Sequence, residues 1–260
     1  MRGFARAELE AALRGVGIGP GDDVMVHSSL IDLGRPEGGV AMCLEAVRGA
    51  IGEAGTLCVP TFTFPFCRGA PFDRAATPST AMGAFSEAAR RDPAARRTRH
   101  AIQSLALIGP RAAEMEAVET ASAYAAGSAF ARLVERGFKI LLLGAGPLSI
   151  SLTHLCEEWE RVPYRYWKSF AGPVRMEPGA DFAERSYAMY VRDLALDPRL
   201  DERPLCREMA ERGLWREVRL NGAPVAACRM ADFAEAATAR LRRDPFALLS
   251  NGGTVRAALG

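Results

Sequence analysis

Histidine is scarce in this sequence, with three in 260 residues: His27, His100 and His154. Scarcity makes each one a candidate and limits any three-histidine metal centre to a single set. The six cysteines (Cys43, Cys58, Cys67, Cys156, Cys206 and Cys228) include no CxxC pair, which removes the usual spacing of zinc ribbons and dithiol redox sites. Most lie in apolar contexts, where a free cysteine packs as a small core residue. Reduced cytoplasmic thiols are therefore expected rather than disulfides. No run of five basic residues occurs, and the formal net charge is +2, too little to argue for nucleic acid or an anionic membrane surface. Nor does any segment approach the ~20 apolar residues of a membrane span, and the charged amino terminus lacks the apolar centre of a secretion signal. Repeats, low-complexity tracts and convincing linkers are also missing. One domain over residues 1–260, in a soluble cytoplasmic protein, is the expectation.

What is present is an ordinary globular composition, 49% hydrophobic and 25% charged. Residues 5–15 read as a helix closed by glycines. A short strand at 24–27, a helix at 40–51 and a strand at 56–60 have the spacing of a parallel pair joined by a crossover helix. Residues 61–80, rich in Pro, Phe and Thr, read as a long loop, a kind that is often functional. Helices are expected at 82–90, 110–119 and 129–135, with strands at 102–108 and 140–143. Downstream, 186–191 alternates like a half-exposed strand, and 214–220 with 224–229 flank the hairpin signal Asn221-Gly222. Residues 230–242 read as a terminal helix. The class is α/β with an antiparallel C-terminal portion.

The apolar run at 140–143 ends in Gly144, Gly146 and Pro147, and Ser149 or Ser151 can cap the helix that follows. On that helix His154 and Glu157 are three residues apart, with Glu158 one further, so all three share a face. A carboxylate bound to one ring nitrogen would raise the imidazole pKa and fix its tautomer. The other nitrogen is then free to accept a proton, the layout of a general base. Helix starts beyond the carboxyl ends of strands are also where α/β folds bind ligands. The plainer alternative is a surface histidine beside a carboxylate. Cys156, two positions from His154, cannot face it on a helix, so core packing is favoured over a nucleophile. His27-Ser28-Ser29-Leu30 ends another strand; its hydroxyls and amides suit a phosphate or a pantetheine amide, or else satisfy local backbone groups. Arg96, Arg97 and Arg99 suit phosphate, with a solvated basic loop as the default. Asp73, in the long loop, suits a cationic amine of a substrate or the cap of a turn.

Six short segments follow one another along the chain. They are His27-Ser28-Ser29-Leu30 with Leu33-Gly34; Pro60-Thr61-Phe62-Thr63; and Phe72-Asp73 followed by Thr77-Pro78-Ser79-Thr80-Ala81-Met82-Gly83, Glu87 and Arg90. Then come Arg97-Thr98-Arg99-His100-Ala101-Ile102-Gln103-Ser104 with Gly109; Gly127-Ser128-Ala129 with Leu133; and Leu142-Leu143-Gly144 with Ser151-Leu152-Thr153-His154 and Glu157. In this order they resemble the aminoglycoside 3-N-acetyltransferase family, antibiotic N-acetyltransferases distinct from the GNAT fold. The likeness runs from about residue 22 to 165 and fades beyond. Ala101 and Ala129 stand where the family has proline, and Ser151 and Thr153 where it has threonine and leucine.

The resemblance implies a three-layer α/β/α fold around a mixed central sheet. It also implies transfer of an acyl group from a coenzyme A thioester to an amine. It carries the role of base to His154 and of orienter to Glu157, leaving Glu158 as a surface charge, and donor contacts to Ser28, Ser29, His100 and Ser104. The expected protein is an N-acyltransferase using acetyl-CoA or another acyl-CoA, without a metal, on an aminoglycoside or amino-sugar-like acceptor. Its expected partners are the small-molecule amine and the acyl donor, neither nucleic acid nor membrane, with a homodimer as a candidate assembly. Three alternatives stand beside it. One is a biosynthetic acyltransferase of specialised metabolism with another amine and an acyl-carrier-protein donor. The others are a metal-dependent hydrolase built on the three histidines and a non-catalytic acyl-CoA binder.

Overall fold

The computed structural model describes residues 2–260. In chain order its elements are β1 (Gly3–Phe4), α1 (Arg6–Gly15), β2 (Val24–Ser28), α2 (Leu30–Leu33), β3 (Arg35–Pro36), α3 (Gly39–Ile51), β4 (Leu57–Pro60), β5 (Phe72–Asp73), α4 (Gly83–Arg90), β6 (Arg96–Arg97) and β7 (Leu105–Ile108). There follow α5 (Ala112–Glu116), α6 (Ala129–Glu135), β8 (Lys139–Leu143), α7 (Leu152–Trp159), β9 (Arg165–Arg175), β10 (Ala183–Arg192), α8 (Arg203–Glu211), β11 (Arg216–Leu220), β12 (Ala223–Arg229), α9 (Met230–Arg243) and α10 (Gly252–Ala258).

Seven strands form the main sheet in the order β11-β12-β8-β2-β4-β7-β6. The central β8, β2 and β4 are parallel, and the flanking pairs are antiparallel. Successive strand side chains point to opposite faces, and this divides the core in two. Met25, Cys58, Ile140 and Leu142 join Phe130, Leu155, Met209 and Phe233 from α6, α7, α8 and α9. Val24, Val26, Leu57, Leu141 and Leu143 join Leu13, Val47 and Phe85 from α1, α3 and α4. Helices thus cover both faces of a mixed sheet, as expected. A smaller sheet, β10-β9-β5, packs over its own core of Phe66, Phe72, Ile102, Val174, Met176 and Tyr187.

The pairing of the central strands prepares a crevice. β2 and β4 pair only at Val24–Leu57 and Met25–Cys58, so they separate before their carboxyl ends. On the other side, β8 stays beside β2 as far as Ser28–Leu143. From β2 the chain crosses through α3 to β4, while β8 lies on the opposite side. Open α/β sheets bind ligands at such reversals of strand order. Gly144 permits the close approach there: its φ is +71°, and a Cβ would collide with the Ser29 carbonyl.

The hairpin at Asn221-Gly222 forms as expected, with φ of +53° and +85°, as a type I′ turn requires. Other expectations need correction. β9 was not anticipated, because most of its eleven side chains are exposed or half-buried and carry no two-residue hydrophobic period. Helix α8, which buries only Leu205, Cys206 and Met209, was also missed. β7 begins at Leu105 rather than 102, since Thr98 Oγ1 turns the chain by accepting from Leu105 N at 2.9 Å. α5 occupies only five residues of the expected helix at 110–119, and α9 is followed by α10. Among the described residues no helix is long and apolar enough to cross a membrane.

Candidate active site

Helix α7 starts beyond the carboxyl end of β8 and carries His154 and Glu157 on one face. Ser151 occupies the N-cap position but makes no capping bond, and the Ser149 hydroxyl donates to Gly146 O instead. Neither serine is the cap expected. The three-residue spacing acts as anticipated: His154 Nδ1 lies 2.8 Å from Glu157 Oε2. Glu157 is fully buried, whereas the imidazole side chain is 31% exposed. Sequence reasoning missed the third member. Arg165, at the start of β9, donates from Nη2 to Glu157 Oε2 at 2.6 Å and from Nη1 to Tyr190 O at 2.9 Å. No local pattern marks Arg165 as special; only the docking of β9 against α7 brings it to the carboxylate.

A proton on His154 Nδ1 is directed at Glu157 Oε2, which also accepts from Arg165, whose Nη2 lies 3.1 Å from Nδ1. That tautomer leaves Nε2 with its lone pair and no protein partner among the described residues. Burial alone would raise the Glu157 pKa, but His154 and Arg165 outweigh it and hold the carboxyl below its ordinary value. For His154 the expected upward shift is reversed. Burial, aided by Arg165 and Arg192, overrides Glu157 and lowers the imidazole pKa. A neutral imidazole at pH 7 is the form that can accept a proton.

His154 and Arg165 line a cavity of about 190 Å³ with Phe62, Phe64, Gln103, Tyr124, Met189, Tyr190, Val191 and Arg192. Tyr124 meets the imidazole edge-on, with ring centroids 5.9 Å apart, and its hydroxyl accepts from Gln103 Nε2 at 3.1 Å. Glu158 is not a surface charge. It is buried, and Ser122 Oγ donates to its Oε2 at 2.7 Å. Cys156 is wholly buried in the core, and burial pushes its thiol pKa well up, so it is no nucleophile.

The remaining candidates fall elsewhere. Ser28 and Ser29 sit half-buried at the carboxyl end of β2, and Ser29 Oγ donates to Asp32 Oδ2 at 2.5 Å. His100 is buried: Nδ1 accepts from Gln103 N at 3.1 Å and Nε2 faces Ala121 O at 3.3 Å, so both ring nitrogens are engaged. Ser104 is fully buried; its hydroxyl donates to Thr61 O and accepts from Arg97 Nε, each at 2.9 Å. Arg97 is itself buried, donating to Thr61 O at 2.8 Å and Thr77 O at 2.6 Å, so the expected solvated loop is a packed corner. Asp73 Oδ1 accepts from Ala75 N and Ala76 N, while Oδ2 pairs with Arg175 Nη1 at 3.3 Å. Asp73 is therefore a turn cap outside the His154 cavity. His27 is buried, with Nε2 unpartnered and its pKa lowered to about 4 by burial. The three histidines do not converge. Among the described residues no three His, Cys, Asp or Glu side chains are placed to hold a metal ion.

Other matched segments have structural roles. Ser79 N and Oγ donate to Glu87, which Arg90 also grips, tying the long loop to α4. Ser128 caps α6 by accepting from Ala131 N at 3.2 Å. The family described as aminoglycoside 3-N-acetyltransferase matches residues 25–242. The chain belongs to that family. It is 34% identical over 199 residues to aminoglycoside N(3)-acetyltransferase III of Serratia marcescens, covering 67% of this chain and 74% of that one. Other type III relatives are matched over 65% of their length. In three dimensions the family member resembles AAC-IIIb in a binary complex with CoASH, with TM-score 0.80, 23% identity and coverage of 93% and 97% of the two chains. It also resembles a histidine-to-alanine variant of AAC(3)-IVa in complex with apramycin, with TM-score 0.78, 27% identity and coverage of 95% and 96%.

Proposed function

We propose that residues 1–260 act as one cytoplasmic acyltransferase unit. It moves an acetyl group, or a larger acyl group, from coenzyme A to an amine of an aminoglycoside or amino-sugar-like acceptor. The observation that carries this reading is the His154 ring: Nδ1 is committed to buried Glu157, and Nε2 is left free beside a cavity, in a member of an N-acetyltransferase family. Amines are largely protonated at pH 7, and only the free base attacks a thioester. His154 Nε2 takes the proton as nitrogen bonds to the carbonyl carbon. Glu157 stabilises the imidazolium that forms, and Arg165 keeps Glu157 in place. As the carbon–sulfur bond breaks, His154 returns the proton to the departing thiolate. Products are the amide and free coenzyme A, and protons balance.

Ser28 and Ser29, at the mouth of the crevice, are proposed as donor contacts. His100 and Ser104, with their polar atoms engaged, are proposed to support the wall from behind. The test is thiol release from acetyl-CoA with and without kanamycin or glucosamine. Release that depends on the amine is expected. Amine-independent hydrolysis, or no release with any amine, would overturn the reading.

A further inference from the structure

We propose that Tyr124 is a further catalytic residue, its hydroxyl donating a hydrogen bond to the thioester carbonyl oxygen as negative charge develops there. This deepens the acyl-transfer reading and rests on it. Moving an acyl group to an amine needs two groups at one point: an acceptor for the amine proton and a donor for the carbonyl oxygen. His154 Nε2 is the acceptor. Tyr124 lines the same cavity as His154, with ring centroids 5.9 Å apart. The Tyr124 hydroxyl oxygen accepts from Gln103 Nε2 at 3.1 Å, while its own proton has no acceptor among the described residues. A lone pair and a proton are thus both uncommitted at one cavity, on two rings in contact.

Helix α7 fixes Tyr124 as well as the base. Trp159 Nε1 donates to Tyr124 O at 2.9 Å. Glu158 Oε2 accepts from Ser122 Oγ, which in turn accepts from Tyr124 N at 3.2 Å. His154, Glu158 and Trp159 therefore hold imidazole and phenol in one frame, and buried Glu158 serves as an anchor rather than a second base. The Tyr124 ring also packs on Phe130, with centroids 4.7 Å apart. Burial raises the Tyr124 pKa against the opposing charge of Arg165, so the phenol keeps its proton at working pH. A donor fixed before the reaction needs no reorganisation when the charge forms, and exclusion from water strengthens it.

As the amine nitrogen bonds to the carbonyl carbon, the C=O π pair moves onto oxygen. The Tyr124 hydroxyl donates a hydrogen bond to that oxygen and keeps its proton. The pair returns as the carbon–sulfur bond breaks, and the proton that His154 took from the amine leaves on the thiol. Gln103 is a positioning residue. Its Nε2 occupies a lone pair of the Tyr124 oxygen and so turns the hydroxyl proton away from itself.

The test measures thiol release from acetyl-CoA with kanamycin or glucosamine on wild type, Tyr124→Phe, Gln103→Leu and the double variant. Tyr124→Phe keeps the ring, so Tm should stay near wild type. Its kcat should fall roughly 10²–10³-fold, the effect of losing one oxyanion donor. KM for both substrates should stay within about twofold, as for a contact made only in the transition state. The acid limb of the pH profile, set by His154, should not move. Gln103→Leu should lower kcat roughly two- to tenfold, the worth of one neutral hydrogen bond. It should add nothing to Tyr124→Phe in the double variant, because it acts through Tyr124. Turnover of Tyr124→Phe within about threefold of wild type, or a raised amine KM at unchanged kcat, would overturn the role and leave acyl transfer standing. Should Tyr124→Phe lose its fold, Gln103→Leu decides alone, and a wild-type kcat there overturns the role. No amine-dependent release in the wild type would remove acyl transfer and the role of Tyr124 together.

Discussion

Two polar clusters lie in this fold, and they use their atoms differently. Arg97 and Ser104 bond to each other and to the Thr61 carbonyl of the long loop, and nearby His100 spends both ring nitrogens on the backbone of Gln103 and Ala121. In the cluster of His154, Glu157 and Arg165, the bonds stop short: buried Glu157 Oε1 and Arg165 Nε have no partner, and His154 Nε2 is left beside a cavity. Both contain a buried arginine and a histidine of lowered pKa. A fully bonded cluster holds the chain together, whereas one that withholds a lone pair at a cavity can do chemistry. Sequence motifs alone do not make this distinction, since both clusters lie in segments that match the family.

The sharpest way to break the comparison is His154→Ala. kcat should fall roughly 10²–10⁴-fold with little change in Tm, because Arg165 still pairs with Glu157. Near-normal turnover would place the base elsewhere.

Acid titration probes the buried histidines next. His27 and His100 have folded pKa values lowered to about 4 by burial, against about 6.5 when unfolded. The neutral form belongs to the folded state. Stability is full above pH 6.5 and is lost as pH falls towards 4, by about 3 kcal/mol for each histidine. At His100 the local reason is plain, since a proton on Nδ1 would face the Gln103 N–H. Urea unfolding across this range checks it, and a His100→Gln slope equal to wild type would remove His100 from the account.

The smallest expected effect is that of Ser104→Ala, which strands Arg97 Nε and costs about 1–3 kcal/mol. KM for acetyl-CoA should stay within about twofold, since the lost bonds are internal. A large rise in that KM with unchanged Tm would instead make Ser104 a direct donor contact.

Local signals carried far into the structure. Helix α3, the parallel β2–β4 pair, β8 and the Asn221-Gly222 hairpin were legible because each rests on contiguous pattern or turn chemistry. His154 and Glu157 were legible for the same reason, being one helical turn apart. β9 was not, because a strand with mostly exposed or half-buried side chains has no hydrophobic period to read. Arg165 went with it, and so did its pairing with Arg192 of β10. Glu158 was misjudged because burial depends on Ser122, far away in sequence.

By itself, the sequence determined the α/β class, the order of the core elements and the pairing of His154 with Glu157, all set by contacts within a few residues. Tertiary structure alone decided the rest. It lowered rather than raised the His154 pKa, because desolvation and arginine charge come from packing. It separated the three histidines. And it set Arg165 and Arg192 side by side, because strand register joins residues 27 positions apart, a relation that no local pattern encodes.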